Sequence, residues 1–178
     1  MCISKVLISV VLLMLSMIAS AQSDQGLKAP NVVSISENLV TAGQPTAESL
    51  AGLSKLGFKA VIYLAPPTVR DAVANEREIL SNQGIEFVNI PILWAKPTEA
   101  DFSSFADTMK RFQGRKVLVH CQANMRASAM TFLYRVIVAK ENPSQAYEAV
   151  LKVWTPKDQW KDLMNSQLQK ASIPFEVK

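Results

Sequence analysis

The stretch Val117-Leu118-Val119-His120-Cys121-Gln122-Ala123-Asn124-Met125-Arg126-Ala127-Ser128 constrains what this chain can fold into more than any other. An apolar run of buried-strand character ends in the chain's one histidine and, next to it, a cysteine. A short loop then leads to an arginine and a helix-like segment. In this order the backbone N–H groups of the loop and of the helix N-terminus converge on one point, and the helix dipole favours negative charge there. The same field favours Cys121 as a thiolate, the attacking form of a cysteine. Arg126 adds a planar fork suited to two oxygens of a phosphate-like group. A small buried cysteine beside a satisfied core histidine is the simpler alternative, but it leaves the clustering of His120, Cys121, Arg126 and Ser128 unexplained.

The rest of the chain alternates between strand-like and helix-like segments. Strands are expected at 32–36, 39–42, 59–64, 86–90 and 116–120. Helices are expected at 46–56, 70–83, 98–113 and 126–140, with two more opened by Asn142-Pro143 and Thr155-Pro156. Such alternation predicts an α/β single domain with a mostly parallel central sheet and helices on both faces. Ligands of such sheets bind beyond the carboxyl ends of the strands, and Cys121 stands at such an end.

The N-terminus has a different character. Lys5 precedes the apolar run 6–18, and Ala19-Ser20-Ala21 supplies small residues at a cleavage position. The run is too short for a spanning helix and reads as a secretory signal. The expected organisation is a cleaved signal at 1–21, a flexible mature N-terminus at 22–31, the α/β domain at 32–172 and a C-terminal tail at 173–178. The protein is expected to be exported, to the periplasm if the source is Gram-negative, without stable membrane insertion after cleavage. Cys2 would leave with the signal, so Cys121 would have no disulfide partner. An unpartnered thiol in an oxidising compartment is either recessed or used through its oxidation. The net charge of +4 is modest and spread along the chain, which does not suit nucleic acid. A single histidine and no ligand cluster argue against a metal, and nothing calls for a cofactor.

The His120-Cys121 loop followed by Arg126 and Ser128 resembles that of the cysteine-dependent phosphatase superfamily, of dual-specificity and tyrosine type. The resemblance is nearest to the bacterial branch that includes the phosphatase-like domain of beta-lactamase-hydrolase-like proteins. Thr41-Ala42-Gly43-Gln44-Pro45-Thr46, and then Ala60-Val61-Ile62-Tyr63-Leu64, are similar to how those domains open. The resemblance implies a phosphatase-like fold and a loop of Gln122, Ala123, Asn124, Met125, Arg126 and Ala127 that binds phosphate. It also implies Cys121 as nucleophile, with Arg126, His120 and Ser128 in support. Asn124 stands where those phosphatases often carry Gly, and Asn is the next most tolerant residue of a left-handed backbone.

Two departures from the family pattern matter. Four residues, not five, separate Cys121 from Arg126, and Ala127 fills the usual arginine position. Either Arg126 closes a shorter loop, as in rhodanese-like sulfurtransferases, or the arginine of a full-length loop has moved back by one. The family's general acid, an Asp after the strand at 86–90, has no counterpart in the first turn, where Leu93 and Trp94 stand. Glu99 and Asp101 are the nearest carboxylates, and Thr98 with Asp101 also fits a helix capping box.

The expected function is phosphomonoester hydrolysis through a phosphocysteine on Cys121, acting on a phosphorylated small molecule or a phosphoprotein. The alternatives are persulfide chemistry of rhodanese type on Cys121 and a non-catalytic module that binds an anion or a partner.

Overall fold

The computed structural model describes residues 26–178. The signal read over 1–21 and the first residues of the lead-in, 22–25, lie outside the described residues. The strands are β1 (Val33–Ser36), β2 (Leu39–Ala42), β3 (Ala60–Tyr63), β4 (Glu86–Asn89) and β5 (Val117–His120). They form one sheet in the order β1-β2-β5-β3-β4. The β1–β2 pair is antiparallel, and the other pairs are parallel. β3 and β5 are buried along their whole length, as expected of short apolar central strands covered on both faces.

Side chains alternate across these strands and sort into two layers. Val40, Val61 and Leu118 pack with Leu50, Leu53 and Leu80 under α1 (Ala47–Leu50), a 3-10 turn (Leu53–Leu56) and α2 (Glu76–Ser81). Ala60, Ile62, Val117 and Val119 pack on the other face. That face is covered by α3 (Glu99–Arg111), α4 (Met125–Leu133), α5 (Pro143–Leu151) and α6 (Asp158–Lys170). The alternation has a functional consequence. Leu118 and His120 face the α2 layer, whereas Val119 and Cys121 face the α4 layer.

Each expected strand is present, but several helices differ. The 46–56 segment is interrupted at Gly52, where helix propensity is low. Of 70–83 only Glu76–Ser81 is α-helical, and 70–75 forms a loop that reaches the cysteine loop. Beyond Leu133 the chain widens into a π-helical segment, Tyr134–Val138, where Arg135 turns to Glu141 and the Ala146 carbonyl. The last helix starts at Asp158, after Pro156, because the turn before it seats Trp154 and Trp160 in one aromatic cluster.

The described residues at both edges of the domain pack onto it. The described part of the lead-in, 26–31, is fixed to the domain. Leu27 is buried, the Lys28 N–H donates to Ser49 Oγ, and the Pro30 carbonyl accepts from Gly43 N–H at 2.7 Å. At 173–178 the Phe175 ring packs against Phe132 and Tyr147, and the buried Val177 exchanges two hydrogen bonds with the Asn165 amide. Both segments belong to the folded domain because their apolar side chains complete its core.

Candidate active site

Strand β5 carries the site to the C-terminal edge of the sheet. Its last residue, His120, lies in register between Ala42 of β2 and Tyr63 of β3. The neighbouring strands hold the backbone on both sides: Cys121 N–H donates to the Ala42 carbonyl and Leu64 N–H to the His120 carbonyl. The loop is then fastened to Gly43 and Gln44. Gln44 N–H donates to the Gln122 carbonyl, and Gly43 bridges to Ala123. A Cβ on Gly43 would lie 2.9 Å from the Gln122 carbonyl oxygen and from Pro30 Cβ, so only glycine permits this approach.

Asn124 makes the turn into α4 with φ of 67°, the left-handed conformation expected of it. Left-handed backbone costs about 1–2 kcal/mol in most residues. Here the Asn124 amide offsets it by donating to the Asn31 carbonyl (2.6 Å) and to Thr41 Oγ1 (3.1 Å). The Asn124 side chain does not cap α4, which leaves the first-turn amides free to meet an anion.

A cleft of about 400 Å³ opens over this loop, lined by Trp94, Cys121, Gln122, Ala123, Met125 and Arg126. Cys121 is only 1% exposed, so the thiol is recessed at its floor. Arg126 is buried, with Nε donating to the Ile92 carbonyl at 3.1 Å and the guanidinium 5.4 Å from the Trp94 ring. Those two contacts, both from the chain after β4, aim the fork. Arg126 thus lines the cleft, and the Ala127 side chain lies in the core.

The remaining expected site residues stand apart from the thiol. Ser128 Oγ donates to the Met125 carbonyl and accepts from Trp154 Nε1 at 3.2 Å, so both of its bonds go to groups other than Cys121. Asp101 is held in the capping box, its Oδ2 accepting from Thr98 N–H and Thr98 Oγ1 at 2.7 Å each. Glu99 pairs with Lys170 at the surface. None of the six cleft-lining residues is a carboxylate.

Trp94 both lines the cleft and packs the loop down. It is 38% exposed and is clamped by Trp154 and Trp160, each with ring centroid 5.4 Å away. Trp160 Nε1 also donates to its carbonyl. Asp71 accepts from Gln122 Nε2 (3.2 Å) and from Arg70 Nε. The Gln122 amide, and then Arg70, hold its carboxyl below the ordinary range, which makes it a poor proton donor. Behind the strand, His120 Nε2 lies 2.7 Å from Glu76 Oε1, and Gln44 Nε2 donates to the other Glu76 oxygen. Nothing in the local pattern marked Glu76; it is a charged residue on an otherwise ordinary short helix. Among the described residues no group of three or more His, Cys, Asp or Glu side chains could hold a metal ion, and no helix is long and apolar enough to cross a membrane.

A parallel sheet that ends in a recessed cysteine, an αL turn and a clamped arginine defines a protein with a phosphatase-like α/β fold. The chain belongs to the family described as DSP-PTPase phosphatase fused to NAD+ kinase, whose model matches residues 18–170. It is 31% identical over 104 residues to the beta-lactamase hydrolase-like protein of Agrobacterium fabrum, covering 57% of this chain and 24% of that one. The corresponding protein of Xylella fastidiosa is 28% identical over 109 residues, 60% of this chain and 25% of the other. This chain thus spans about a quarter of the length of those curated relatives. The crystal structure of a DUF442 phosphatase candidate from Shewanella putrefaciens superposes with a TM-score of 0.73 at 28% identity, covering 86% of this chain and 97% of that one.

Proposed function

We propose that the protein hydrolyses phosphate monoesters through a phosphocysteine on Cys121. The observation that carries this reading is the shared cleft of Cys121 and Arg126 at the N-terminus of α4, next to loop amides. The thiolate attacks phosphorus and the ester oxygen leaves with its electron pair. Water then attacks phosphorus, the S–P bond breaks with its electron pair returning to sulfur, and inorganic phosphate leaves carrying the water's protons. Loop amides and Arg126 stabilise the equatorial oxygens, where charge grows in the transition state. With no carboxylate lining the cleft, the leaving oxygen departs without a side-chain proton, which favours aryl over alkyl esters. The Trp94 face suits an aryl group. Rates on p-nitrophenyl phosphate and on an alkyl phosphate test this. Turnover of the aryl ester should exceed that of the alkyl ester and fall by about 10³-fold or more in Cys121→Ser. No turnover of either, or turnover that survives the substitution, removes the proposal.

A second reading is favoured by the four-residue loop and the same lack of an acid: sulfur transfer with a persulfide on Cys121. Attack on thiosulfate would release sulfite, and an acceptor such as cyanide would take the sulfur, with no proton donor required. A thiosulfate-to-cyanide assay with intact-mass detection of a one-sulfur adduct on Cys121 separates the two readings.

A further inference from the structure

The residue adjacent to the nucleophile points the other way, into a buried polar cluster that the proposed chemistry does not use. His120 is fully buried and Glu76 is 4% exposed. Glu76 reaches His120 from the start of α2, at 2.7 Å, and its second oxygen accepts from Gln44 Nε2 at 3.1 Å. Gln44 is in turn tied through its backbone to the Gln122 carbonyl of the cysteine loop. The Tyr63 ring stacks on the imidazole at 4.7 Å and 16°. Among the described residues His120 Nδ1 is buried without a hydrogen-bond partner. An ionised carboxylate only accepts, so in the Glu76 contact the imidazole donates from Nε2–H.

The titratable and charged groups around this cluster are Glu76 and Arg77 on α2, Cys121 at the end of β5, Arg126 on α4 and Asp71 on the loop after β3. The Tyr63 phenol registers all of them but Arg77. Burial raises it most, then Glu76, with Cys121 and Asp71 also raising it and Arg126 lowering it, to about 12 overall.

We propose that Glu76 is a positioning residue for the nucleophile: through His120 it fixes the base of the Cys121 loop, and its negative charge restrains thiolate formation on Cys121. The proposal rests on the reading of Cys121 as a reactive thiol. Like charges in a weakly screened region each disfavour the ionised form of the other.

The chain has one histidine, and its second cysteine, Cys2, is separated by peptide mapping, so both groups can be read without ambiguity. The experiment is the pH profile of iodoacetamide labelling at Cys121 in the full chain, with nitrogen NMR of the His120 ring. Glu76→Gln keeps an acceptor for Nε2–H and removes the charge. Its labelling profile should move to lower pH, with labelling below the midpoint at least about threefold faster than wild type. Glu76→Asp keeps the charge and should keep the wild-type profile even if it melts earlier. The wild-type ring should be the Nε2–H tautomer. An unchanged profile in folded Glu76→Gln, a profile in Glu76→Asp that moves as far, or an Nδ1–H tautomer each overturns the proposal. If Glu76→Gln does not fold, the tautomer and the Glu76→Asp profile still decide. A wild-type Cys121 that labels no faster than the unfolded chain at any pH overturns the nucleophile reading itself, a different outcome from a reactive thiol indifferent to Glu76.

Discussion

Two consecutive residues, His120 and Cys121, open onto opposite environments. In front, Cys121 faces a cleft with one guanidinium, an indole face and no carboxylate. Behind, His120 meets a carboxylate closed off from solvent by Tyr63 and Gln44. Strand alternation alone separates them, since successive side chains of β5 point to opposite faces. The front is arranged to receive negative charge and the back already holds one.

The largest effect expected at the front after loss of the thiol is loss of the fork. Arg126→Ala should weaken phosphate or tungstate binding by about 1.5–3 kcal/mol, the range for a hydrogen bond to a charged group. Arg126→Lys should restore little of it, because an ammonium cannot both donate to the Ile92 carbonyl and present a planar pair to two oxygens. Calorimetry with tungstate reads this directly. Full affinity in Arg126→Ala would mean that the loop amides alone hold the anion and that the front is less specialised than the comparison states.

Trp94→Ala should cost less. It removes the ring that packs on the Arg126 guanidinium, a contact of about 0.5–2 kcal/mol, and the apolar wall of the cleft. The kcat/KM for an aryl phosphate should fall by about 3–30-fold and that for an alkyl phosphate by less. Equal losses on both esters would assign Trp94 to aiming the arginine only.

These two residues also mark how far the sequence could be read. Val117 to Ser128 is a local motif: strand, loop and helix start are consecutive, so the cleft-lining Cys121 and Arg126 and the left-handed Asn124 were legible from residue types and spacing. The capping box at Thr98 and Asp101 was legible for the same reason. Glu76, Gln44, Tyr63 and Trp154 were not, because each enters the site from a different element and only tertiary packing places it there. Sequence separation shows the limit: Glu76 meets His120 across 44 residues, and Trp160 reaches the Trp94 carbonyl across 66. Ser128 shows the same limit: its position fits the family pattern, but the indole that donates to its hydroxyl comes from beyond α5.

The smallest expected effect lies at the back and is visible only in alkali. Tyr63 is buried and beside Glu76, which lifts its phenol from 10.0 to about 12. The unfolded chain therefore releases this proton before the folded one does. Below pH 10 nothing is lost, and between 10 and 12 each rise in pH favours the unfolded state. Tyrosinate absorbance in wild type and Tyr63→Phe isolates the signal from Tyr134 and Tyr147. Ionisation of Tyr63 at its ordinary value would mean that water reaches the cluster and that its charges are screened. Late ionisation that becomes earlier in Glu76→Gln, with the fold intact, would show the buried carboxylate acting through space behind the nucleophile, as the contrast between the two faces requires.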